Sequence, residues 1–144
     1  MIRTLDHYNV RTFDIEGTVR FYIDVLGLHV GPFMKPSAMG AWLYDQTERP
    51  IVHLIGVDPD DPEVAVSRIR ERVGALGASV DPATFHGGGA IDHVAFECED
   101  YDGMLADFET RGLKYTLNEV PSIGLRQIFV NDPNGVTLEL NFRS

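Results

Sequence analysis

The sequence predicts an α+β protein built from two tandem βαβββ modules, and an internal repeat carries that prediction. Asp6-His7 opens the strand-like run His7-Tyr8-Asn9-Val10, and Asp92-His93 opens a second run, His93-Val94-Ala95-Phe96, 86 residues later. A helix signal follows each run and stops at a glycine, Gly27 in the first copy and Gly112 in the second, 85 residues apart. Three strand-like stretches follow each helix. The 144 residues therefore read as one domain, with module one at about 1–57, a linker helix at about 62–77 and module two at about 90–144.

In the first module, Ile15, Val19, Tyr22 and Leu26 recur at helical spacing behind Asp14, a candidate N-cap. Strands are expected at His29–Phe33, Ala41–Asp45 and Ile51–Val57. Between the copies, Val64, Ile69, Val73 and Leu76 form an apolar stripe, interleaved with Arg68, Arg70, Glu71 and Arg72, on a helix expected to pack on the outside. Gly87-Gly88-Gly89 leads into the second module. There Asp100 or Asp102 can cap a helix bearing Met104, Leu105 and Phe108, and strands are expected at Lys114–Val120, Arg126–Asn131 and Val136–Phe142. Asp132-Pro133-Asn134-Gly135 is a strong hairpin signal between the last two.

Charge and composition exclude several function classes. A formal charge of −10 with no Lys/Arg stripe argues against nucleic acid as a partner, because phosphate contacts need clustered cations. No apolar run approaches the roughly 18 residues of a membrane span and no charged-then-apolar leader opens the chain, so cytoplasmic residence is the default expectation. The acidic run from Asp58 to Glu63 lacks the alternating spacing and central Gly of a calcium loop and reads as a solvated turn. Cys98 is the only cysteine. Its neighbours Glu97, Glu99 and Asp100 are expected to raise its pKa, which suits a half-buried strand residue and not a nucleophile.

The repeat turns four scattered residues into a constellation. His7 opens the first strand of module one and His53 lies on its last strand, 46 residues later; His93 and Glu139 repeat that spacing in module two. Strand alternation sends Leu138, Leu140 and Phe142 to one face and Thr137, Glu139 and Asn141 to the other. A carboxylate on a largely apolar face is costly unless a cation compensates it. Three imidazoles and a carboxylate suit one divalent metal ion, Zn, Ni, Co, Mn or Fe(II), better than Ca or Mg. His29 is expected at the surface, and His86 sits in the glycine-rich connector.

If Asn131 pairs with Val136, Ile128 lies opposite Glu139 and Arg126 opposite Asn141, which puts Arg126 on the metal face. Arg126 and Asn141 are then candidate substrate-binding residues, Arg126 for a carboxylate or phosphate. A rim salt bridge from Arg126 to Glu119 or Asp102 is the competing reading. The 86-residue offset maps Ile128 to Trp42 and Val130 to Tyr44, so Trp42 becomes a third substrate-binding candidate, an aromatic wall beside His53.

These segments resemble the vicinal oxygen chelate superfamily, also called the glyoxalase/bleomycin resistance protein/dioxygenase superfamily. The likeness is carried by Asp6-His7, by Thr18-Val19-Arg20-Phe21-Tyr22 through Leu26-Gly27-Leu28, by Asp92-His93-Val94-Ala95-Phe96, and by Asp132-Pro133-Asn134-Gly135 with Leu138-Glu139-Leu140. It covers nearly the whole chain apart from the linker helix. The resemblance implies a curved mixed sheet around a metal-binding cleft, usually in a homodimer, with a small-molecule substrate whose two neighbouring oxygens bind the cation. Glyoxalase I and methylmalonyl-CoA epimerase use all four module positions as ligands. Fosfomycin-resistance enzymes and extradiol dioxygenases use three, matching His7, His93 and Glu139, with His53 then additional. Glyoxalase I usually carries Glu where this chain has His53; an unligated imidazole there can act as a base.

Three functions compete on this reading. The first is a metal-dependent lyase or isomerase of glyoxalase or epimerase type, with Glu139 or His53 as the catalytic proton carrier. The second is a single-domain extradiol-type dioxygenase with His7, His93 and Glu139 on Fe(II). The third is a bleomycin-resistance-type ligand-binding protein, against which the intact metal quartet counts.

Overall fold

A computed structural model describes residues 1–32, 36–37 and 39–143. Strand β1 (Tyr8–Thr12) is followed by helix α1 (Ile15–Asp24), β2 (His29–Val30), β3 (Gly40–Tyr44) and β4 (Val52–Gly56), then by α2 (Pro62–Val73). The second series is β5 (Val94–Cys98), α3 (Tyr101–Arg111), β6 (Tyr115–Val120), β7 (Leu125–Asn131) and β8 (Thr137–Arg143). Each βαβββ series forms one four-stranded mixed sheet, ordered β1-β4-β3-β2 and β5-β8-β7-β6. The expected end of the His29–Phe33 strand at Phe33 lies outside the described residues. Among those described, no helix is long and apolar enough to cross a membrane.

The chain forms two compact units, Met1–Phe85 and His86–Ser144. In each, the last strand is central. β4 runs parallel to β1 and antiparallel to β3, while β8 runs parallel to β5 and antiparallel to β7. A central strand has its whole ladder paired, so alternation alone decides what each face shows.

In the first unit the outward face carries Val10, Ala41, Leu43, Val52 and Leu54, all buried. Helix α1 covers it with Thr18, Val19 and Tyr22. Asp14 caps that helix by accepting a bond from the Gly17 N–H at 2.9 Å, and Gly27 leaves it with φ +70°. The Thr12 and Thr18 hydroxyls meet at 2.9 Å, which satisfies two buried polar groups at once. The second unit repeats the design. Ile128, Val130, Leu138, Leu140 and Phe142 are buried on one face, beneath Tyr101 and Phe108 of α3. Each such side chain contributes about 1.5–3 kcal/mol by leaving water.

Two details depart from the sequence reading. Helix α2 belongs to the first unit and buries Ala65, Val66 and Ile69. Of the expected stripe Val64, Ile69, Val73 and Leu76, only Ile69 is buried, and Leu76 is 88% exposed beyond the end of the helix. The arginine-rich spacing hid the small-residue face. The β7–β8 register also differs, pairing Asn131 with Thr137 and not with Val136. Gly135 adopts φ +78°, and the Asp132 carboxylate accepts the N–H groups of Asn134 and Val136 at 2.8 and 2.9 Å. The hairpin loop is therefore the three residues Pro133-Asn134-Gly135, closed by the Asp132 N–H to the Val136 carbonyl at 3.0 Å. One residue of slip moves every β7 side chain to the other face.

The position of α2 gives a direct stability test. Ile69→Ala is expected to cost about 2–4 kcal/mol in denaturant unfolding, whereas Leu76→Ala is expected to change stability by less than about 0.5 kcal/mol. Equal losses at both sites would restore the stripe read from the sequence.

Candidate metal centre

The inward face of β4 presents His53, beside Asn9 on β1 and Trp42 on β3. The Trp42 ring lies parallel to His53 with centroids 4.4 Å apart. On the other side the His7 ring stacks on His53 at 3.7 Å. His53 is 9% exposed, and its Nε2 is buried without a hydrogen-bond partner. An orphaned buried nitrogen is expensive in a folded protein, so it marks an atom whose partner is something other than the chain. Burial lowers the pKa of His53, with His7 beside it adding to the effect, and neutral imidazole is the form that binds metal.

His7 lies just ahead of β1, and its Nδ1 is 2.6 Å from Asp6 Oδ2. A carboxylate on Nδ1 selects the tautomer that leaves the Nε2 lone pair free. His93 repeats this arrangement ahead of β5, with Nδ1 2.7 Å from Asp92 Oδ2. The hydrogen bond to Asp92 raises the His93 pKa, and Glu139 adds to the rise. His93 Nε2 then faces Glu139 Oε2 at 3.1 Å. The inward face of β8 supplies Glu139 and Asn141, opposite Phe129 and Gln127 of β7. The Phe129 ring meets the His93 ring edge-on, with centroids 6.2 Å apart.

Each unit thus brings together one predicted pair, His7 with His53 and His93 with Glu139. Within each unit, no third His, Cys, Asp or Glu among the described residues completes a metal-holding group. The His7–His53 pair of the first unit and the His93–Glu139 pair of the second each consist of donor types that suit a borderline divalent cation.

The substrate candidates fare unequally. Trp42 stacks on His53 as expected of an inner wall. Its register equivalent in the second unit is Phe129 and not Ile128, because the β7–β8 connection is one residue shorter than the β3–β4 connection. Arg126 is corrected. It pairs with Phe142 on the helix face, with its guanidinium 4.0 Å from the Tyr101 ring centroid and 3.5 Å from Asp102 Oδ1. Asn141 keeps the metal face, but its amide is spent on Gln127 and Glu139 instead of facing solvent.

Sequence reasoning missed the two aspartates as histidine supports, although the repeated Asp-His pair was the available signal. It also missed Arg11, which pairs with Ile55 and therefore shares the inward face with His53. Its Nε is buried without a hydrogen-bond partner, and its guanidinium lies 5.1 Å from the Phe85 ring centroid. Burial lowers its pKa and Arg72 lowers it further; among the described residues no carboxylate forms an ion pair with it. A cavity of about 570 Å³ runs between α2 and the ends of β1 and β4, bordered by Phe13, Ile55, Val57, Arg68, Ile69 and Arg72. It does not contain the histidines; it reaches their sheet face at Ile55, two residues along β4 from His53. Burial pushes the Cys98 thiol up to about 11, with Glu97 a minor contributor, so Cys98 is inert here.

Comparison with known proteins settles the family. A sequence profile described as Glyoxalase/Bleomycin resistance protein/Dioxygenase superfamily matches residues 4–140. The chain belongs to that superfamily. Among solved structures, a glyoxalase/dioxygenase from Nostoc punctiforme aligns with TM-score 0.65 at 17% identity, covering 99% of this chain and 92% of that one. Lactoylglutathione lyase from Agrobacterium tumefaciens aligns with TM-score 0.62 at 18% identity, covering 99% and 95%. A glyoxalase/bleomycin resistance protein/dioxygenase from Nocardioides gives 0.61 at 20% identity, covering 99% and 85%. At these identities the likeness is one of fold. No curated protein matches the sequence.

The histidine environments predict opposite titrations in the metal-free superfamily member. NMR should place His53 below the ordinary 6.5 and His93 above it. The stability contributed by His93 is full below 6.5 and lost as pH rises through its folded value. That contributed by His53 is present above 6.5 and lost as pH falls below it. Asp92→Asn should return His93 toward 6.5; an unchanged titration would remove the dyad as the cause.

Proposed function

We propose that the chain is a metal-dependent lyase or isomerase acting on a small substrate with a carbonyl and a neighbouring oxygen. The observation that supports it best is the pairing of ligand atoms: two Asp-supported imidazoles, one orphaned imidazole nitrogen and one carboxylate oxygen on equivalent inward strands. His7, His53, His93 and Glu139 would hold one divalent cation, from a single chain or across a homodimer. When bound, the cation supplies Lewis acidity to the substrate's two oxygens.

The other roles fall to the chain's own residues. Asp6 and Asp92 hold Nδ1 and so orient the imidazoles to offer Nε2 to the cation. Glu139 Oε2, when it is not on the cation, would take or return a proton at the carbon beside the carbonyl, and neutral His53 is the second base when it is not a ligand. Trp42 and Phe129 offer flat apolar walls to the substrate body. Arg11 takes the part first expected of Arg126, holding an anionic group whose charge offsets the cost of a desolvated, repelled guanidinium.

One observation favours a second reading. His7 and His93 each have a carboxylate support and His53 has none. A three-ligand set of His7, His93 and Glu139 on Fe(II) is the arrangement an extradiol-type dioxygenase uses.

Metal analysis after anaerobic purification tests the proposal. About one Zn, Ni, Co or Mn per chain, with deuterium exchange beside a substrate carbonyl, is the expected result. Oxygen-sensitive iron with catechol-dependent oxygen uptake would transfer the assignment to the second reading. A chain that takes up no cation would overturn both and leave a ligand-binding protein. In the active protein Arg11→Ala should raise KM for an anionic substrate by roughly 10–100-fold, the loss of a charged hydrogen bond, and should leave KM for a neutral analogue near wild type.

A further inference from the structure

We infer that Gln127 and Asn141 form a clamp that fixes the Glu139 carboxylate, spending Oε1 on amide N–H groups and presenting Oε2 alone. The inference rests on the proposed role of Glu139 as a metal ligand, and it assigns two positioning residues to that role.

The geometry is a row of amides across three strands. Asn118 on β6 lies opposite Gln127 on β7, and Gln127 lies opposite Asn141 on β8. Glu139 Oε1 can only accept, which makes the Gln127 atom facing it nitrogen and lets the Asn118 side chain donate to Gln127 Oε1 at 2.6 Å. Gln127 Nε2 then donates twice, to Glu139 Oε1 at 2.8 Å and to Asn141 Oδ1 at 2.9 Å. The Asn141 Nδ2 donates to the same Glu139 Oε1 at 2.7 Å. Oε1 therefore accepts two amide hydrogens, while Oε2, among the described residues, faces His93 Nε2 at 3.1 Å.

Gln127 is 8% exposed and Asn141 9%, so little water competes for these bonds. Each Gln127 donor and its acceptor is matched, so the amide cannot flip without breaking three bonds. With Oε1 held, the carboxylate is prevented from turning to offer both oxygens. In the first unit the register equivalents of Gln127 and Asn141 are Gly40 on β3 and Ile55 on β4. Among the described residues no side-chain amide hydrogen bonds to His53. The clamp is thus specific to the carboxylate half of the fold and is not a by-product of the repeat.

Gln127→Glu separates a donor from a packing role, because it keeps the shape and removes the N–H groups. Cobalt(II) titrations of the full chain, followed by absorbance, should show Gln127→Glu and Gln127→Leu binding roughly 10–100-fold more weakly than wild type, the usual cost of losing an outer-shell partner. Asn141→Leu should weaken it similarly, with circular dichroism unchanged in all three. Wild-type affinity in Gln127→Glu would overturn the clamp. A metal-free readout keeps the two ideas apart. In ¹⁵N spectra of the apo protein, the side-chain amides of Gln127 and Asn141 should move on Glu139→Ala and, more weakly, on Glu139→Gln. Amides that do not respond would overturn the clamp even if cobalt binds. Amides that respond in a wild-type protein taking up no cobalt would uphold the clamp and sink the metal reading.

Discussion

Everything at the candidate centre depends on strand alternation in a strand that is paired on both sides. β4 and β8 are central in their sheets, so their backbone groups are consumed by neighbours and cannot serve stray side chains. Val52 and Leu54, like Leu138 and Leu140, must face a helix, and this forces His53 and Glu139 to the opposite side. An imidazole or a carboxylate between such residues has no freedom to escape. The apolar packing that stabilises the outward face is therefore what aims the inward one.

The two halves support their ligands differently. In the second unit the carboxylate is surrounded by polar help: Gln127, Asn141 and the His93–Asp92 pair. In the first, His53 is stacked between the rings of His7 and Trp42 and hydrogen bonds to the Pro50 backbone, with no charged partner on Nε2 among the described residues. Stacking on a neutral imidazole costs nothing in charge, whereas a charged ring between two others and out of water would be disfavoured, in keeping with its lowered pKa. A carboxylate needs donors; an imidazole needs only to stay neutral. The same fold meets each need with the residues that its duplicated strands had available.

Much of this was legible in the sequence, and the unread part has physical causes. The 86-residue repeat located both strand starts and both helices, because a duplicated fold keeps its hydrophobic period and its glycine stops. The pairs His7–His53 and His93–Glu139 followed from the same spacing. Arg126 was misplaced because Gly135 takes a left-handed conformation that closes a three-residue loop, one residue shorter than the sequence reading assumed, and nothing in Asp-Pro-Asn-Gly alone separates a three-residue loop from a four-residue one. The buried face of α2 was misread because it is set by Ala65 and Val66 together with Ile69, while the more conspicuous Val73 and Leu76 lie where the helix is ending. The amide row was invisible because it needs three strands in register, a tertiary fact with no sequence period.

The central proposal is that three imidazole nitrogens and one carboxylate oxygen would hold one cation. X-ray absorption on the cobalt-loaded protein measures this set directly. The account predicts multiple-scattering from three imidazoles in the wild type and from two in His53→Ala. A spectrum without imidazole scattering, or one that His53→Ala leaves unchanged, would contradict it.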